Sequence, residues 1–185
     1  MLGCASLKSG AAPVALARAL PEVFLEWVTG ILNGEAEMLT GISIRHAKPD
    51  DAEAVRKVIL AAYAPWFEKL PDLPDVSGGV CDDIEARRVW VAEHGDVIVG
   101  CLIGGVVGDH WHVANVAVSP EHAGQGIGRR LMEHAVEEAL RANVFTMALA
   151  THRDMPGNVV LYEKLGWQVS GEAGTKIMMR RDIPK

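Results

Sequence analysis

The sequence predicts an α/β protein built on a mixed sheet, and three observations point there. Apolar runs in the first half alternate with polar residues and are joined by a tight turn at His94-Gly95-Asp96. The second half places an amphipathic helical pattern between two strand-like runs. The resulting order is β-α-(α)-β-β-β-α-β-α-β-β, in which hairpins dominate and one helix makes a crossover.

"ISIRHA" (42–47) alternates as a half-buried strand does. In the following "KPDDAEAVRKVILAAY", Asp50 with Glu53 reads as a helix cap, and Val55, Val58, Ile59 and Ala62 form one apolar face. "APWFEKLPDLPDVSGGV" holds three prolines and two adjacent glycines and reads mostly as loop, with a short helix around "CDDIEARR". "RVWVAEHGDVIVGCLIGG" is a hairpin, and "HWHVANVAVS" (110–119) is a further strand. In "IGRRLMEHAVEEALRAN", Leu131, Met132, Ala135, Val136, Ala139 and Leu140 share a face. Glu137 and Arg141 form a favourable i,i+4 pair opposite it. "VFTMALA" (144–150) is a strand, "NVVLYEKL" a short helix, and "GWQVSGEAGTKIMMRRDI" a last pair of strands.

Residues 1–41 stand apart, being rich in Ala, Leu and Gly. They read as an N-terminal extension, loosely attached, with a helix near 14–32. Translation beginning at Met38 is an equally plain account, and the basic, acid-free first 21 residues carry a faint targeting character. Residues 42–185 form the domain.

Composition narrows the function. A formal charge of −6 argues against nucleic acid as a partner and leaves room for a cationic or amine substrate. Cys4, Cys81 and Cys101 are too few and scattered for a disulfide framework, which suits reduced thiols in the cytoplasm. The seven histidines show no metal-ligand spacing, so no metal is expected. No apolar run approaches the roughly 20 residues of a membrane span.

"NVAVSPEHAGQGIGRRLMEHA" (115–135) carries the chemistry. A glycine-rich turn opening a helix presents backbone N–H groups and a positive dipole end, which together hold an anion such as a phosphate. The G-x-G-x-G spacing fits neither the dinucleotide fingerprint nor a P-loop, since no Lys-Ser/Thr pair comes after the last glycine. "VAVSP" through "GQGIGRRLM" resembles the acyl-CoA-binding motif of the GNAT superfamily of N-acetyltransferases. "NVVLYEKLGW" (158–167) resembles that family's second signature. The resemblance spans about residues 42–181.

That resemblance implies a mostly antiparallel GNAT-like sheet with splayed central strands, flanked by helices. It implies acetyl-CoA as cosubstrate and direct attack by an amine on the thioester in a ternary complex. The strand at Val116, Ala117 and Val118 would pair with the pantetheine arm. The backbone of Gly124, Gln125, Gly126, Ile127, Gly128 and Arg129 would hold the pyrophosphate. Asn158 would bond the pantetheine from the other side, and Tyr162 would protonate the leaving sulfur. The acceptor is an amine on a small molecule or a protein, and a homodimer is compatible with the family. Two positions depart from the pattern. Ala123 stands where the motif has Gln or Arg, and Ala150 where some relatives have Glu. The general base is therefore open. His112 on the central strand and His152 after the splayed strand are candidates, each set against an ordinary core role. Alternation puts His112 on the face opposite Trp111, Val113 and Asn115. His110 lies beside it, while His46, His94, His122 and His134 read as surface or turn residues. Trp66 and Phe67 are candidates to line the acceptor site, and Asp72, Asp75, Asp82 and Asp83 to attract a cation. The alternative function is a non-catalytic acyl-CoA-binding regulatory module, which would keep the glycine turn and dispense with the acid.

Overall fold

The computed structural model describes residues 41–71 and 73–184. The expectations for the N-terminal extension up to residue 40, and for Asp72, fall outside them. Seven strands form one sheet: β1 (Ile42–His46), β2 (Val89–His94), β3 (Val97–Val107), β4 (His110–Val118), β5 (Thr146–His152), β6 (Gln168–Ala173) and β7 (Lys176–Asp182). Their spatial order is β1-β2-β3-β4-β5-β7-β6. Every neighbouring pair is antiparallel except β4 with β5. The helices are α1 (Ala52–Phe67), α2 (Val80–Glu85), α3 (Ile127–Arg141) and α4 (Pro156–Lys164). The sheet is thus the mixed, mostly antiparallel one expected.

Each face of the sheet has its own core. On one, Leu131, Met132, Ala135 and Ala139 of α3 pack with Trp90, Trp111, Met147 and Trp167. On the other, Val55, Val58 and Ile59 of α1 and Val80 and Ile84 of α2 pack with Val91, Cys101 and Ala117. These are the apolar faces read from the helical period, except that Leu140 is exposed at the end of its helix. Glu137 and Arg141 do pair, at 3.2 Å.

Two local expectations are corrected. A 3-10 turn, Pro49–Asp51, precedes α1, so Asp51 and not Asp50 makes the reciprocal contact: the Lys48 amide donates to its Oδ2 at 2.7 Å. Arg45 of β1 binds the same carboxylate at 2.6 Å and also Glu93 of β2, tying the helix start to the sheet edge. The second correction concerns "APWF", which continues α1 rather than starting a loop. Pro65 lies in the last turn, and it removes only the N–H that would have reached Ala61. Ala61 is exposed, so its carbonyl can meet water instead.

A bulge in β4 decides which side chains face which helix. Ile103 pairs with Asn115 and Gly104 with Val113, leaving Ala114 as the extra residue. Before it Trp111 and Val113 face α3, and after it Val116 and Val118 do. Asn115 is thereby turned toward α1, the side His112 also faces. This overturns the alternation argument, which put Asn115 with Trp111 and Val113. Gly104 sits beneath the bulge, where a Cβ would stand 2.4 Å from the Trp111 ring.

Candidate functional site

β4 and β5 touch over a short stretch, with Trp111 opposite Met147, His112 opposite Ala148, and Val113 opposite Leu149. Beyond Val113 the strands part. The β5-facing edge of β4 then runs on with no strand beside it through Val116, Ala117 and Val118. A cavity of about 380 Å³ opens in the gap. Its lining includes Val116 from β4, Ala150 from β5, Asn158 and Tyr162 from α4, and residues of the segment between α1 and α2. An extended, amide-bearing ligand could join such an edge as a further strand. Ala117 offers backbone only, because its side chain is buried in the α1 core.

The glycine turn lies past the end of β4, where a Cβ added at Gly128 would stand 3.6 Å from the Val118 side chain. Gly126 is the N-cap of α3 with φ of +79°, and Gly124 has φ of +76°. No side chain caps the helix. The Arg130 amide is the first to bond back, to Gly126 at 3.0 Å. The amides ahead of it sit at the positive end of a fifteen-residue helix, where they favour an anion. An added Cβ at Gly124 would meet no atom within 4 Å, so this glycine serves backbone conformation and open approach, not tight packing, and Gly126 shares its left-handed backbone. Arg129 pairs with Glu133 at 2.9 Å.

The remaining candidates gather on the cavity. Tyr162 stands edge-on to Trp167 with ring centres 6.1 Å apart. Burial, with a smaller contribution from Tyr63, pushes its phenol up to about 12. The Asn158 amide donates to Thr151 Oγ1 at 3.3 Å, which holds α4 against β5. His112 is half-buried. Burial, then the nearby His110, holds its imidazole below the usual histidine value, against a backbone hydrogen bond at Ala148. His152 is buried, and its Nδ1 accepts the Asp154 amide at 3.1 Å. A neutral His152 therefore carries its proton on Nε2 and has its lone pair engaged.

Other candidates separate. Asp75 and Asp83 line the cavity, and Trp66, Phe67, Asp82 and His110 do not. Because α1 continues past Ala64, Trp66 sits in its last turn beneath Lys69, 5.5 Å from the ring centre. Of the four histidines expected at the surface, His94 is exposed. His46 and His134 flank Trp90, at 4.8 and 5.9 Å between ring centres, and His122 has a buried Nδ1. Sequence reasoning missed Tyr63. It lines the cavity from α1, and its hydroxyl donates to Asn115 Oδ1 at 3.4 Å. The helical continuity of "AAYAPWF" was the signal that could have found it. No group of three or more metal-ligating side chains occurs among the described residues.

Known proteins share this architecture. Residues 85–169 match the model of the acetyltransferase (GNAT) domain. The chain is 37% identical over 62 residues to the [ribosomal protein bS18]-alanine N-acetyltransferase of Escherichia coli strain K12, covering 34% of this chain and 42% of that protein. It is 30% identical over 128 residues to N-acetyltransferase 8 of Mus musculus, covering 63% and 56%. The matches thus span about two fifths to just over half of these relatives. Among solved structures, the PaiA N-acetyltransferase from Thermoplasma acidophilum in complex with coenzyme A superposes with a TM-score of 0.65 at 17% identity, over 76% of this chain and 98% of that one. The ribosomal-protein-S18-alanine N-acetyltransferase from Escherichia coli gives 0.64 at 22%, over 78% and 95%. Family match, relatives and shared fold agree: residues 85–169 match the GNAT acetyltransferase domain, and the sheet that contains them has the fold of solved GNAT N-acetyltransferases.

Proposed function

We propose that residues 42–185 transfer an acetyl group from acetyl-CoA to an amine by direct attack in a ternary complex, without a metal. The observation that carries this is the parted pair β4 and β5, which has an uncapped helix N-terminus at one extremity and the half-buried phenol of Tyr162 across the gap. The backbone of residues 124–129 holds the pyrophosphate. The free edge of residues 116–118 and Asn158 hold the pantetheine arm. This places the thioester near Tyr162.

The amine nitrogen bonds to the carbonyl carbon, and the carbon–sulfur bond breaks. Tyr162 donates to the departing sulfur, whose charge is disfavoured by the same dry surroundings that hold the phenol neutral. Acylation makes the nitrogen acidic, and its proton leaves to water, balancing the one delivered to sulfur. The products are the acetylated amine and CoA thiol. Ala150 supplies no carboxylate for that deprotonation. Of the two histidines, His112 is the better relay, since a lowered value keeps it neutral near pH 7, whereas His152 has its lone pair bound. A cytoplasmic setting is part of the proposal, supported by the free thiols of Cys81 and Cys101. Release of CoA thiol from acetyl-CoA, measured across amines that include alanine-headed peptides, tests the reading. CoA binding with no turnover on any amine would favour the regulatory module instead.

A further inference from the structure

The chain has two tyrosines, and both line the same cavity: Tyr63 from α1 and Tyr162 from α4. Protonation of the leaving sulfur uses only Tyr162. Asn115 decides what Tyr63 can offer. Its Nδ2 donates to the Val76 carbonyl at 3.2 Å, so its Oδ1 is the atom that meets the Tyr63 hydroxyl. Turning the amide over would set Oδ1 against the Val76 carbonyl, two acceptors facing each other. An amide oxygen only accepts, so the phenol gives its single proton to Asn115. The lone pairs of the Tyr63 oxygen are left for the cavity. The two phenols thus present opposite polarity to the cleft: Tyr162 as donor and Tyr63 as acceptor.

We propose that Tyr63 is the acceptor-binding residue, its phenol oxygen taking an N–H of the incoming amine, and that Asn115 is the positioning residue that fixes this polarity. The proposal rests on the acetyltransferase reading and deepens it. An attacking nitrogen must point its lone pair at the thioester carbon and hold its N–H bonds elsewhere. An acceptor on the α1 wall turns the lone pair toward the opposite wall, where Tyr162 stands. The substrate class is then a primary or secondary amine.

Two unreactive CoA thioethers test this without knowledge of the natural acceptor. S-(N-methylcarbamoylmethyl)-CoA carries an N–H at the amine position, and S-(N,N-dimethylcarbamoylmethyl)-CoA carries none. By calorimetry the wild-type chain is expected to bind the first about tenfold more tightly. Tyr63→Phe should bind the two within about twofold of each other, with affinity for CoA itself unchanged. Asn115→Ala frees the phenol to donate and should shrink the preference with Tyr63 intact, which a packing role would not do. Equal binding of both probes by the wild type, or an undiminished preference in Tyr63→Phe, would overturn the proposal. Failure of the wild type to bind CoA at all would overturn the acyl-CoA reading and this proposal with it.

Discussion

Substituting Gly126 by Asp separates backbone strain from charge at the helix end. Gly126 has φ of +79°, in the left-handed region that favours glycine. The left-handed backbone is expected to cost about 1 kcal/mol of stability, and the chain stays folded. That strain exists with and without ligand, so it cancels in the dissociation constant. The carboxylate does not cancel. At about 6 Å from one pyrophosphate charge and an effective dielectric near 40, the repulsion is about 1.4 kcal/mol. This corresponds to about a tenfold weaker affinity, and the second phosphate charge adds to it. Calorimetric titration with CoA reads this directly, with Gly126→Ala as the uncharged control. The control should lose much less, and the Asp effect should shrink as salt rises. A folded Gly126→Asp variant with unchanged CoA affinity would refute the placement of the pyrophosphate at this turn.

Tyr162→Phe should lower kcat by about 10²-fold, with KM for acetyl-CoA nearly unchanged, in steady-state kinetics on the best amine of the panel. A variant keeping half its kcat would return Tyr162 to a packing role. Gly104→Ala would force a Cβ to 2.4 Å from the Trp111 ring and 2.7 Å from the His112 carbonyl, and should cost about 3 kcal/mol in urea unfolding. His134 has its value lowered chiefly by burial, against the pull of Glu138 and Glu137. Its unfolded form binds a proton first, near 6.5. The stability associated with neutral His134 is therefore complete above that pH and declines as the pH falls from there through the lowered folded value. Urea midpoints at pH 7 and 5.5 should differ less in His134→Gln than in the wild type. Part of the slope should remain, because His112 is shifted in the same sense.

The elements that could be read from sequence are those whose pattern is local. Alternation located β4, helical period and glycines located α3, and both lead to the cleft. The acceptor wall was less legible for two physical reasons. Sheet alternation assumes an unbroken pleat, and the extra residue at Ala114 reverses it, which moved Asn115 to the face of α1. Proline usually ends a helix, yet Pro65 falls where only one solvated carbonyl is affected, so α1 carries Tyr63 to the cavity and Trp66 away from it. Neither the Asn115 contacts to Tyr63 and Val76 nor the tautomer of His152 leaves a mark on spacing. They depend on residues 39 to 52 positions apart, or on a single backbone amide at the end of a strand.

The short contact between β4 and β5 has a mechanical side. The sheet consists of two stiff panels, β1 to β4 and β5 with β7 and β6, riveted together along a few residues and bridged by α3. A cofactor arm lying along the open part of that seam would act as a splint as well as a reagent. Amides flanking the seam, from Asn115 to Val118 and from Ala150 to His152, would then gain protection from hydrogen exchange on CoA binding far out of proportion to the rest of the sheet. In such a molecule the cargo completes the architecture that carries it, and affinity for the cofactor and rigidity of the fold are one quantity measured from two directions.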